Sequence, residues 1–157
     1  MRGVRWLSGA LLCAGAAGLA AWRVRSGYVA VTVRGGSMVP TLHDGDRVLI
    51  RRGPRGLRRD DIVVVACPAQ DSAWRGKPPV TGELTATEWY IKRAVALAGD
   101  PFEGRPVPAG HLAVVGDGVF SVDSREHGPC PVDQVLGVVV RTLGRAHVPV
   151  GRGAPPH

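Results

Sequence analysis

The sequence predicts a mainly β chain: antiparallel sheets, packed as two layers or closed into a partly open barrel, behind one N-terminal transmembrane helix. Three observations carry this. Short runs rich in Val, Ile and Leu recur between Gly, Pro and Asp, the pattern of strands separated by turns. The residues from Trp6 to Trp22 carry no charge. Hydrophobic residues make up 45% of the chain but aromatics only 5%, so the core must be built from aliphatic side chains.

Arg2 and Arg5 precede the apolar N-terminal segment and Arg23 and Arg25 follow it. As a helix it would span roughly 25 Å, slightly less than the roughly 30 Å of a hydrocarbon core. Val4 and Val24 extend it, the flanking arginines can snorkel, and Trp6 and Trp22 stand where interfacial aromatics are expected. Ala10, Ala14 and Gly18 form a small-xxx-small row suited to packing on another helix. A cleavable signal peptide is the alternative, with Ala14-Gly15-Ala16 as its cleavage site, but apolar residues continue past that point. A permanent anchor over 6–22 is the expectation. Positive charge at both ends leaves its orientation open.

Six strands are expected beyond the anchor: Tyr28–Val33, Asp46–Arg52, Asp61–Ala66, Glu88–Leu97, His111–Val115 and Gln134–Thr142. The polar stretch 68–87, with Pro78-Pro79 and Gly82, reads as an exposed insertion. The expected organisation is an anchor region over 1–27, one domain over 28–144 and a flexible tail over 145–157.

Twenty Lys and Arg against 13 Asp and Glu give a net charge of +7. The densest run, Arg51 to Arg59, suits a solvated turn or an anionic membrane surface. It has no interleaved aromatics for base stacking, so no nucleic-acid partner is expected. Cys13, Cys67 and Cys130 do not form a disulfide framework. Cys67 and Cys130 are expected as partly buried thiols, with a bridge between them left open. No metal-ligand spacing is present, so neither a metal nor another cofactor is expected.

Two residues stand out chemically. Ser37 follows Gly35-Gly36, where the backbone can approach a ligand closely and a serine can use its own N–H as an oxyanion donor. By itself, a Gly-Ser turn is common. His127, four residues after Asp123, hints at a Ser–His–Asp arrangement but reads better as a solvated loop histidine. Lys92 lies among apolar residues, and alternation puts it on one face with Tyr90 and Ala94. A lysine facing the interior is costly as a cation, so its pKa falls. Lowering it by about three units makes the free amine plentiful at neutral pH.

The motifs combine into a resemblance. Ser37-Met38-Val39-Pro40-Thr41-Leu42 resembles the S-M-x-P-T-L nucleophile box of the signal peptidase I family, Ser–Lys dyad serine proteases of bacteria. Arg59-Asp60-Asp61-Ile62-Val63-Val64 is similar to its R-G-D strand, and Tyr90 to Asp100 to its lysine box. Gly116-Asp117, then Ser121-Val122-Asp123-Ser124-Arg125 and Gly128, resembles the G-D-N…S-x-D-S-R-x-x-G box, and Leu136 to Arg141 the last strand. Gly118 stands in place of the asparagine and Ala98 in place of a proline.

The resemblance implies a membrane-bound endopeptidase that cleaves preproteins after small residues in an Ala-x-Ala pattern. Its catalytic domain would lie on the extracytoplasmic side. Ser37 would be the nucleophile and neutral Lys92 the general base, with Ser121 orienting the amine. Asp123 and Arg125 would form a supporting ion pair, with Asp117 and Arg93 around them. The Ser37 N–H would form the oxyanion hole, and Gly35 would occupy a position where some members add a serine hydroxyl. Val33, Met38, Leu42, Tyr90 and Ile91 would line the substrate pockets. Implied partners are signal-peptide-bearing preproteins, the lipid bilayer and the secretion translocon. The alternatives are a protease dedicated to one secreted precursor and a membrane-anchored β module with a degenerate site. A self-cleaving repressor would need a DNA-binding helical domain where the apolar segment stands.

Overall fold

The computed structural model describes residues 27–68, 74 and 89–145. The segment expected as an anchor, most of the insertion and the tail beyond 145 lie outside the described residues. Among the described residues, no helix is long and apolar enough to cross a membrane.

Among the described residues, nine strands follow in order: β1 (Tyr28–Thr32), β2 (Asp46–Arg52), β3 (Ile62–Ala66), β4 (Trp89–Leu97), β5 (Pro101–Phe102), β6 (Arg105–Pro106), β7 (His111–Val115), β8 (Cys130–Pro131) and β9 (Val135–Arg145). A one-turn helix, α1 (Ser124–His127), lies between β7 and β8. Seven strands form one sheet in the order β1-β2-β9-β3-β4-β7-β8, while β5 and β6 make a separate two-stranded ribbon. The sheet is antiparallel at every pairing. This one curved sheet fits the partly open barrel rather than two packed sheets, with β1 and β8 as its edges.

The C-terminal strand closes the middle of this sheet. β9 enters between β2 and β3, and three register shifts bend the three strands around it. Gly137 lets β9 lie close to β2, because a side-chain carbon there would stand 3.1 Å from the Arg51 carbonyl carbon. A further shift between Ala94 and Ala96 curves β4 against β7.

Both sheet faces are covered. Val63, Val65, Ala94, Leu112, Val114, Cys130, Val135, Val138 and Trp74 pack together on one side. Val33, Met38, Leu42, Val48, Ile50, Val64 and Ile91 pack on the other. β3 therefore reads as an unbroken apolar run, since Val63, Val64 and Val65 are all buried.

The insertion departs from its expected exposure at one described residue. Trp74 is 3% exposed, and its indole Nε1 donates to the Ala66 carbonyl at 2.9 Å. Its ring meets His127 edge-on, 6.0 Å between centroids. His127 is accordingly half-buried on α1 rather than solvated in a loop. Cys67 and Cys130 are thiols and do not bridge, and burial pushes the Cys130 thiol up.

Candidate active site

Ser37 sits in the β1–β2 connection. The connection closes at its base where Val33 N–H donates to the Asp46 carbonyl at 2.7 Å and Gly45 N–H to the Val33 carbonyl at 3.0 Å. Gly35 turns the chain at φ +79°, a left-handed conformation natural to glycine, and donates its N–H to the Asp44 carboxylate at 2.8 Å. Just after Ser37, Met38 and Leu42 plunge into the core beside Val33 and Ile91, and the Leu42 N–H donates to the Met38 carbonyl at 2.8 Å. Pinned on both sides, Ser37 remains half-buried at the surface.

Lys92 lies on β4 directly opposite Val63 of β3. Only 3% of its surface is exposed. Its flanking same-face residues, Tyr90 and Ala94, both pack with Val63 and Val65. Its Nζ donates to Ser121 Oγ at 2.7 Å and stands 5.1 Å from the centre of the Tyr90 ring. Burial holds the Lys92 pKa below that of an ordinary lysine; Asp123 opposes the shift and Arg125 adds to it. The balance shifts Lys92 toward the neutral amine relative to an exposed lysine.

The segment from Gly116 to Asp123 links these two residues. A side-chain carbon at Gly116 would collide with the Ser121 hydroxyl and stand 2.5 Å from the Ser37 carbonyl oxygen. One at Gly118 would stand 2.6 Å from the Gly36 carbonyl oxygen. Only glycine at both positions permits the two loops to touch, and Gly118 N–H then donates to the Ser37 carbonyl at 2.9 Å. Lys92 thus reaches Ser121 directly, while Ser37 meets the same segment through its backbone.

Two ion pairs hold the segment. Arg125 grips Asp123 with both arms, Nε to Oδ1 at 2.9 Å and Nη2 to Oδ2 at 2.7 Å. The Gly116 N–H adds a bond to Asp123 Oδ2 at 3.0 Å. Burial tends to raise the Asp123 carboxyl, but hydrogen bonds from Arg125, Gly116 and Ser121 outweigh it and hold the pKa down at about 2. Asp123 also caps α1, and the Ser124 hydroxyl accepts the Val114 N–H at 2.9 Å, which fixes the helix to β7.

The second pair joins three loops. Arg93 contacts Asp117 through Nε at 2.9 Å and Nη2 at 2.6 Å, and its Nη1 donates to the Asp60 carbonyl at 2.9 Å. The Thr41 hydroxyl donates to the same Asp117 carboxylate. The Arg93 hydrogen bonds keep the Asp117 carboxyl below its usual value. Asp60 occupies the glycine position of the R-G-D pattern and adopts φ 70°, a conformation that aspartate tolerates better than most residues.

The structure therefore groups Lys92, bonded to Ser121, with Asp123, bonded to Arg125, and sets Ser37, Asp117 and Arg93 beside them. Of the expected pocket residues, Gly35 is exposed and Tyr90 half-buried. Val33, Met38, Leu42 and Ile91 are buried, supporting the surface from beneath. Thr41 and Gly116 carry no expected role from sequence, although both lie within the matching boxes, and Gly118 stands out there only as a departure from the box's asparagine. A cleft of about 500 Å³ between the β5–β6 ribbon and Gly128-Pro129 is not lined by Ser37 or Lys92.

The family described as signal peptidase, peptidase S26, matches residues 4–105. Signal peptidase I T of Bacillus subtilis (strain 168) is 31% identical over 132 residues, covering 67% of this chain and 68% of that protein. The family match spans Ser37 and Lys92 but ends before Gly116, so the grouping of Ser121, Asp123 and Arg125 with them rests on the geometry. The chain belongs to the signal peptidase family, peptidase S26, and is a serine endopeptidase of signal-peptide-bearing preproteins.

Proposed function

We propose that Ser37 and Lys92 form a catalytic dyad that cleaves preproteins after small residues. The observation that carries this reading is the buried Lys92 amine, bonded to Ser121 and adjoining the Gly116–Gly118 segment on which Ser37 rests. Ser37 Oγ attacks the scissile carbonyl as the neutral Lys92 amine takes its proton. The Ser37 N–H holds the oxyanion, and Gly35 has no side chain to add to it. The resulting Lys92 ammonium protonates the leaving amine, giving an acyl-enzyme ester on Ser37. Lys92, again neutral, then takes a proton from water as the water oxygen attacks the ester, and returns that proton to the departing Ser37 Oγ.

Ser121 orients the amine. Asp123, fixed by Arg125, holds Ser121 and Gly116 in place, and the Arg93–Asp117–Thr41 cluster fixes the other end of the segment. The substrate strand lies along the surface formed by Gly35, Ser37 and Tyr90, over a floor supported by Val33, Met38, Leu42 and Ile91. A floor built from compact loops suits the small side chains of an Ala-x-Ala site.

The apolar stretch 6–22 anchors the enzyme in the bilayer, with the catalytic domain on the extracytoplasmic side and within reach of the translocon. Support comes from its uncharged composition and from β1, which begins only a few residues after Trp22.

The test is cleavage of a preprotein by purified full-length enzyme and by its Ser37→Ala and Lys92→Ala variants. Both substitutions should lower kcat by at least about 10³-fold. Retention of wild-type cleavage by either variant would remove that residue from the mechanism.

A further inference from the structure

Two large apolar side chains next to Ser121 stand almost wholly in water. Val119 is 90% and Phe120 97% exposed. Val122, on the other side of Ser121, and Val39, two residues after Ser37, are also exposed. Scattered exposed hydrophobics are normal, but these four occupy two loops that touch each other at Gly118 and Gly36.

The loop that presents them is braced. Gly118 bonds to the Ser37 carbonyl, Asp117 to Arg93, and Ser121 to Lys92. Val119 and Phe120 therefore project from a segment fixed at both ends. No charged residue lies between Gly118 and Val122. Through Gly118, which lies against Gly36 and bonds to the Ser37 carbonyl, this rim adjoins Ser37.

We infer that Phe120, assisted by Val119, is a specificity-determining residue that covers an apolar side chain of the preprotein just before its Ala-x-Ala site. The inference rests on the proposed Ser37–Lys92 site and extends it. The occupant follows from continuity and chemistry: the rim adjoins the peptide-cleaving site, and a signal peptide presents an apolar segment close to its cleavage site. Covering an exposed aromatic ring removes apolar surface from water and strengthens binding without touching the reacting atoms. Phe120 should therefore act on KM, not on kcat.

The experiment uses full-length enzyme in detergent and two soluble peptides with the same Ala-x-Ala site. One carries leucines in the residues preceding that site and the other carries serines. Phe120→Ala and Phe120→Ser should raise KM for the leucine peptide about tenfold, with kcat within about twofold, and leave the serine peptide unchanged. Equal KM values for wild type and variants on both peptides would overturn the inference. So would weakened binding to lipid vesicles with peptide KM untouched, which would assign the rim to the bilayer. A Ser37→Ala control separates the two claims: if it cleaves normally, the site itself is misassigned and the inference falls with it.

Discussion

Lys92 is chemically expensive where it stands, since a lysine buried to this degree is stable chiefly when uncharged. Removing its polarity should cost the fold little and the reaction much. Lys92→Met should keep or raise Tm while cleavage falls at least about 10³-fold, measured by thermal melting alongside a preprotein assay. Ser121→Ala leaves both dyad members but frees the amine, so kcat should fall by about 10- to 100-fold with little change in KM. Asp123 makes a prediction of opposite sign. Its folded pKa, about 2, lies below the 3.8 of a free aspartate, so its stabilisation is present above the unfolded pKa and is lost as pH falls through the folded one. Acid titration should show part of the stability disappearing between about pH 4 and 2, and Asp123→Asn should abolish that component. At this scale the sequence was informative only where boxes coincided. Alternation correctly grouped Lys92 with Tyr90 and Ala94. Thr41 escaped notice because its bond to Asp117 spans distant parts of the chain, which no local pattern encodes.

Strands were the most legible elements, because a Val-rich run between turn residues has few other ways to bury itself. All six expected strands are present, with ends shifted by at most a few residues. Two-residue pieces such as β5, β6 and β8 are too short to show a period. The order of strands was not legible either. Placing β9 between β2 and β3 depends on a contact across most of the domain, made possible by Gly137 and the adjacent register shifts. The insertion misled for a related reason: its polar composition concealed one tryptophan that docks in the core. Trp74→Ala should destabilise the domain by about 3–5 kcal/mol, visible as a lower Tm. Gly116 couples two elements without any side chain. Gly116→Ala should force the Ser37 and Ser121 segments apart and lower kcat by about 10²-fold, while the melting temperature changes far less than in Trp74→Ala.

The whole molecule combines a basic, aliphatic β domain with an apolar N-terminal stretch. Its net charge of +7 favours an anionic surface, and Tyr28, Val140 and Leu143 add exposed apolar groups on the β1 and β9 strands. If 6–22 is a permanent anchor, full-length protein should sediment with membranes, resist extraction by salt and be released by detergent. Recovery in the soluble fraction would contradict it.

Catalysis by the dyad depends on Lys92 acting as a neutral base, and kcat/KM measured against pH tests this most directly. Burial holds the lysine pKa down, so the active neutral form is lost as pH falls through that lowered value. The predicted profile rises with pH through a single ionisation below the usual lysine value and levels off above it. A profile that stays flat, or that rises only near an unperturbed lysine pKa of about 10.4, would contradict the dyad.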